Sequence, residues 1–124
     1  MKKILIVEDE RILAVSLRMD LNELGYQEIS IVTNCDDAMK LVKSEKPDLA
    51  LLDINIQGDK TGIDTALLLA QNYEIPVIFV TGETDIETRT KAEICPNYKG
   101  YLTKPVKMDL LQPLISHIFS LTIA

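Results

Sequence analysis

Tryptophan is absent, and aromatic residues make up only 5% of the 124-residue chain. A surface that stacks nucleic-acid bases needs more rings than this. Cations are also in deficit. Thirteen Lys and Arg stand against 19 Asp and Glu, for a formal net charge of −6. Direct nucleic-acid binding relies on a cationic surplus to neutralise phosphates, so it is not expected of this domain. Cysteine is limited to Cys35 and Cys95, far apart and in no metal-ligand spacing, and they read as reduced thiols. Histidine occurs once, as His117. It falls in a helical segment without the four-helix-bundle context of a phosphotransfer histidine, which makes it a helix-surface or helix-dipole residue. Long apolar runs are missing. Met1-Lys2-Lys3 is followed by only four apolar residues before Glu8, and no run approaches the ~20 residues of a membrane span. No signal peptide, membrane segment, linker, repeat or low-complexity stretch is predicted, and the expected location is the cytoplasm.

What is present fits one domain over residues 1–124. Hydrophobic residues make up 47% and charged residues 26%, which suffices for a core without disulfides or a metal staple. Short apolar runs begin near Lys3, Glu28, Asp48, Pro76 and Gly100. Their spacing of about 25 residues leaves room for a strand, a helix and two short loops. Such alternation predicts an α/β domain with a parallel sheet covered by helices on both faces.

The helical segments carry their own signals. Leu13, Leu17, Leu21 and Leu24 share one face of a helix from about Arg11 to Leu24, with Gly25 as its C-cap. A second helix begins at Asn34, an N-cap, and stops before Pro47. A third covers about Gly62 to Asn72, with Ile63, Ala66, Leu67 and Ala70 as its apolar set. A fourth begins near Thr84, where Thr84-Asp85-Ile86-Glu87 fits a capping box. It is the most polar helix and the best candidate for motion. A fifth runs from about Met108 to Leu121, with Leu110, Leu111, Leu114, Ile115, Ile118 and Phe119 on its apolar face. Pro113 inside it predicts a kink or a 3₁₀ turn. The apolar end, Ser120 to Ala124, reads either as a helix cut from a longer protein or as a docked terminus.

Polar residues terminate the strand-like runs. Lys3–Val7 runs into Glu8 and Asp9, Leu49–Leu52 into Asp53, Val77–Val80 into Thr81, and Gly100–Thr103 into Lys104-Pro105. Open α/β sheets place their chemistry at the carboxyl ends of strands. Three converging carboxylates repel one another unless a cation joins them, and Mg²⁺ suits such oxygen ligands. Asp53 is then a candidate nucleophile for phosphoryl transfer, because carboxylates form aspartyl phosphates. The Lys104 ammonium and the Thr81 hydroxyl would stabilise the equatorial oxygens of the transferring group.

Five segments together resemble the receiver domain of two-component response regulators, end to end. They are Ile6-Val7-Glu8-Asp9-Glu10, Leu51-Leu52-Asp53-Ile54-Asn55, Gly62-Ile63-Asp64, Val80-Thr81-Gly82 and Tyr101-Leu102-Thr103-Lys104-Pro105. The resemblance implies a flavodoxin-like (βα)5 doubly wound sheet with strand order 2-1-3-4-5, helices 1 and 5 on one face and 2, 3 and 4 on the other. It implies a phosphoprotein that takes a phosphoryl group onto Asp53 from a sensor histidine kinase, a phosphotransfer protein or a small acyl phosphate. Glu8, Asp9, Asp53 and the backbone carbonyl of Asn55 would hold Mg²⁺. Thr81 and Tyr101 would form the switch, Tyr101 turning inward on phosphorylation, and Lys104 would pair with the phosphate. The bond before Pro105 would be cis. Catalysis would be limited to the domain's own phosphorylation and dephosphorylation. A switched surface on helix 4, strand 5 and helix 5 would pass the signal to an output domain or protein not named by the sequence.

Departures from the common pattern refine this reading. Gly82 stands where the family usually has Ala, opening the approach to the phosphoryl group. Asn55 and Glu83 hold positions that tune phosphate lifetime in the family, and they match its fast-turnover chemotaxis members. The loop Gln57-Gly58-Asp59-Lys60-Thr61-Gly62 is similar to receivers attached to sensory kinases or PAS-containing proteins. Ile94-Cys95-Pro96-Asn97-Tyr98-Lys99-Gly100 replaces the usual segment before strand 5. The family's dimer through helix 4, strand 5 and helix 5 is therefore not expected, and a monomer or weak dimer is. Two other classes compete: a receiver fold used as a static docking module, and a haloacid-dehalogenase-type phosphatase. The latter type resembles Asp-x-Asp-x-Thr, whereas Asp53-Ile54-Asn55-Ile56-Gln57 lacks the second Asp and the Thr. A flavodoxin is weaker still, since no Ser/Thr/Gly-rich phosphate loop follows strand 1.

Overall fold

The computed structural model describes residues 1–121. Five strands alternate with five helices: β1 (Lys3–Val7), α1 (Arg11–Glu23), β2 (Glu28–Val32), α2 (Cys35–Ser44), β3 (Leu49–Leu52), α3 (Gly62–Tyr73), β4 (Val77–Thr81), α4 (Ile86–Glu93), β5 (Tyr98–Thr103) and α5 (Met108–Ser120). The strands form one parallel sheet in the order β2-β1-β3-β4-β5. The alternation of segments implied the parallel sheet, and this strand order is the flavodoxin-like one that the family resemblance implied.

Alternation along the central strands divides the core. Leu5 and Val7, Ala50 and Leu52, and Val77 and Phe79 pack with Ala38, Val42, Ala66, Leu69 and Ala92, which belong to α2, α3 and α4. Ile4 and Ile6, Leu49 and Leu51, and Ile78 and Val80 pack with Ala14, Leu17, Leu21, Leu111, Ile115 and Ile118 of α1 and α5. A period of two sends neighbours to opposite faces, so β1, β3 and β4, covered on both sides, are apolar nearly throughout.

Several local expectations change. The buried face of α3 is Thr65, Ala66 and Leu69, while Leu67 is exposed. Three consecutive leucines, 67 to 69, leave the helical phase open, and packing on the sheet selects the third. The N-cap of α4 is Asp85, whose side chain accepts from the Thr88 N–H; Thr84 lies before the helix. In α5, residues 108–120 are α-helical throughout, with no 3₁₀ turn at Pro113. Pro113 sits on the exposed side of α5, and Leu110 is exposed rather than part of its apolar face. Leu13 of α1 is likewise partly open. The last residues of the apolar end, 122–124, lie outside the described part. Among the described residues, no helix is long and apolar enough to cross a membrane.

Candidate functional site

The carboxyl ends of β1, β3, β4 and β5 meet at one edge of the sheet. Their backbone is fixed one residue beyond the strands. Glu8 N–H donates to Val32 O at 3.0 Å, Asp53 N–H to Val7 O at 3.0 Å, and Lys104 N–H to Thr81 O at 2.9 Å. The side chains that follow therefore leave the sheet from set positions. Glu8 and Asp53 are each only 6% exposed, and Thr81 is fully buried.

Lys104 Nζ joins the two buried acids, at 2.5 Å from Glu8 Oε1 and 2.8 Å from Asp53 Oδ2. Glu8 also accepts from the Glu10 N–H at 3.1 Å, and Asp53 from the Asn55 N–H at 3.3 Å. Glu8, Asp9 and Asp53 each offer a carboxylate oxygen within 4.8 Å of the others. Burial pushes the Glu8 carboxyl above its ordinary range, and the Asp53 charge adds to this; Lys104 and the Glu10 N–H oppose it without reversing it. Burial draws the Lys104 ammonium down, but its hydrogen bonds to Asp53 and Glu8 outweigh that and leave its pKa raised. Three hard oxygen donors gathered beside one ammonium fit a small divalent cation such as Mg²⁺.

Glu83 links the mouth of the site to the far face of β5. Its carboxylate accepts from Asn55 Nδ2 at 2.6 Å, and its N–H donates to Thr81 Oγ1 at 3.3 Å. Its carbonyl accepts from the Tyr101 hydroxyl at 2.8 Å. The ring of Tyr101 is already inward, 7% exposed, where the family resemblance implies that it turns in on phosphorylation. The peptide bond between Lys104 and Pro105 is cis, as expected. Gly82 is open: a Cβ there would meet nothing within 4 Å.

Gly62 and Arg89 also shape the site, though neither was among the expected site residues. A Cβ on Gly62 would lie 2.0 Å from the Asp53 carbonyl oxygen, and its N–H donates to Ile54 O at 2.8 Å. The first turn of α3 therefore presses on the backbone that carries Asp53, and only Gly fits. Its place in Gly62-Ile63-Asp64 was the available signal. Arg89 of α4 lies over the Tyr101 ring, 5.0 Å from its centroid; an isolated Arg on a polar helix gives no sequence signal. Asn97, in the atypical segment before β5, donates from Nδ2 to Ala66 O at 3.0 Å and Ile75 O at 2.8 Å. This ties α3 to the start of β5.

The model of the response regulator receiver domain matches residues 4–116. The structure is similar to the signal receiver domain of a modulated diguanylate cyclase from Desulfovibrio desulfuricans G20, at 38% identity and a TM-score of 0.88, covering 97% of this chain and 94% of that one. It is also similar to the N-terminal domain of a response regulator/sensory box/GGDEF three-domain protein from Carboxydothermus hydrogenoformans, at 32% identity and a TM-score of 0.85, covering 97% and 95%. The response regulator TrrA from Thermotoga maritima, solved in complex with Mg²⁺-BeF, is 27% identical with a TM-score of 0.82, covering 95% and 99%. Among curated proteins, the phyllosphere-induced regulator PhyR of Methylorubrum extorquens is 35% identical over 80 residues, 64% of this chain but 30% of PhyR. Receiver domains are signalling modules that interact with histidine kinases and output domains and bind Mg²⁺ at an acidic pocket. With the family model spanning nearly its whole length, and with this fold, the chain belongs to the response regulator receiver domain family.

Proposed function

We propose that Asp53 accepts a phosphoryl group from a histidine kinase or phosphotransfer protein, and that the occupied site alters the surface of α4, β5 and α5. The observation that carries this reading is the Lys104 ammonium held between Glu8 and Asp53, beside the three-carboxylate cluster. A carboxylate oxygen of Asp53 attacks phosphorus, the bond to the donor's histidine nitrogen breaks, and the electron pair stays with that nitrogen. Lys104 would pair with one equatorial oxygen and the Thr81 hydroxyl with another. Glu8, Asp9 and Asp53 would hold Mg²⁺ with the Asn55 backbone carbonyl, the ion offsetting their clustered charge and that of the phosphoryl oxygens. Thr81 accepts only a long bond from the Glu83 N–H, so little opposes its movement toward a new phosphoryl group.

Asn55, Gly82 and Glu83 set the lifetime. The Asn55–Glu83 bond spans the mouth, while Gly82 leaves the approach clear. The expected lifetime is minutes or less, and a day-long lifetime in a phosphate-release assay contradicts it. For the acceptor itself, incubation with acetyl phosphate and Mg²⁺ followed by intact-mass measurement should show one added phosphoryl group. An unchanged mass gain in Asp53→Ala overturns the assignment. The inward Tyr101 ring favours a second reading, a static docking module, which predicts Mg²⁺ binding with no mass gain.

A further inference from the structure

Tyr101 is held from three directions. Phe79 lies on its inner side, with ring centroids 6.2 Å apart. Its hydroxyl donates to Glu83 O at 2.8 Å. The Arg89 guanidinium covers the remaining face at 5.0 Å from the centroid, and Glu93, one turn on, accepts from Arg89 Nε at 3.2 Å. Beside the ring opens a cleft of about 270 Å³, lined in part by Arg89, Leu102, Lys107 and Leu110. A cavity of about 150 Å³ holds a benzene ring, so space does not prevent an outward ring. The inward position is therefore a matter of contacts, and Arg89 supplies the contact on the open side.

We propose that Arg89 is a positioning residue that holds Tyr101 inward before any phosphoryl group arrives. α4 otherwise has little grip on the sheet: Ala92 is its one buried residue, and the other hold on β5, to Tyr98, also comes from Arg89. The Arg89–Tyr101 contact thus fastens the helix to β5 as well as holding the ring. The consequence for switching rests on the reading of Asp53 as phosphoacceptor: the chain would rest close to its responsive arrangement, and phosphorylation would deepen an existing bias. The placement of the ring does not rest on that reading.

The test uses the full chain labelled with 3-fluorotyrosine, with the Tyr101 and Tyr98 signals assigned through Tyr101→Phe and Tyr98→Phe. Without phosphoryl donor or metal, Arg89→Ala should move the Tyr101 signal toward the solvent-exposed position. The inward-to-outward ratio should fall by about two- to fivefold, the size of an exposed cation–π contact. Arg89→Lys, which keeps the cation, should restore part of the shift. A Tyr101 signal unchanged in Arg89→Ala overturns the proposal, as does an equal shift in Arg89→Ala and Arg89→Lys. Beryllofluoride with Mg²⁺ should return the ring inward in Arg89→Ala. A ring that moves out but does not return keeps the role of Arg89 and counts against Asp53 as acceptor.

Discussion

The floor of the site and its rim are built differently. The floor consists of β1 and β3, where Leu5, Val7, Leu49, Ala50 and Leu52 are wholly buried and the ladder continues past the strands to Glu8 and Asp53. The rim consists of the β4–α4 connection and α4, where Ile86 is 81% exposed and Ile94 75%. Its helix is supported by the Asp85 cap and two exposed i,i+4 pairs, Arg89–Glu93 and Lys91–Glu87. Apolar burial contributes about 25 cal/mol per Å², whereas exposed ion pairs contribute about 0–1 kcal/mol. The floor is therefore stiff and the rim cheap to move. Phosphoryl transfer needs pre-positioned groups, and a switch needs a bistable one; the two demands fall on opposite sides of Asp53.

The largest expected effect breaks the floor. Leu52→Ala should cost about 2–5 kcal/mol in urea denaturation, while Ile86→Ala on the rim should stay within about 0.5 kcal/mol. Comparable losses would erase the contrast. Gly62→Ala comes next. Its Cβ has no room beside the Asp53 carbonyl, so an overpacking cost of about 1–3 kcal/mol is expected, with slower phosphorylation by acetyl phosphate. Wild-type rate and stability together would show that α3 does not fix Asp53.

The charge on the floor gives a pH test. Because burial raises the folded pKa of Glu8 above 4.5, its contribution to stability is present below the unfolded value and is lost as pH rises through the folded one. Metal-free protein should therefore lose stability over that interval, and Mg²⁺ should restore it. Mg²⁺ affinity, followed by calorimetry, should weaken as pH falls through the same raised pKa. Glu8→Gln should flatten the stability change. The smallest change in global unfolding from a lost interaction belongs to the rim: Asp85→Ala removes the cap of α4 and should cost that helix alone about 1 kcal/mol, seen as faster exchange of its amides.

The floor was the legible part of the molecule. Continuous apolar runs of four residues, Ile4–Val7 and Leu49–Leu52, each closed by acids, mark both the buried strands and the groups that leave them, so the positions of Glu8, Asp9 and Asp53 at the sheet edge could be read directly. The phase of α3 was not legible, because Leu67, Leu68 and Leu69 satisfy the helical period equally well. The α4 cap was missed by one residue, since Thr84 and Asp85 both suit the role. The contact of Arg89 with Tyr101 depends on where a polar helix settles against β5, and nothing in its own pattern states that. The rim is thus hard to read for the physical reason that makes it movable: few apolar contacts define it.

Amide hydrogen exchange on the full chain, with and without beryllofluoride and Mg²⁺, tests the division between floor and rim most directly. The account predicts that α4 exchanges well ahead of β1 and β3 at rest, and that beryllofluoride changes protection in residues 82–94 while Leu5, Ile6, Leu51 and Leu52 stay slow. Equal exchange in the two regions, or a response confined to β1 and β3, would contradict it.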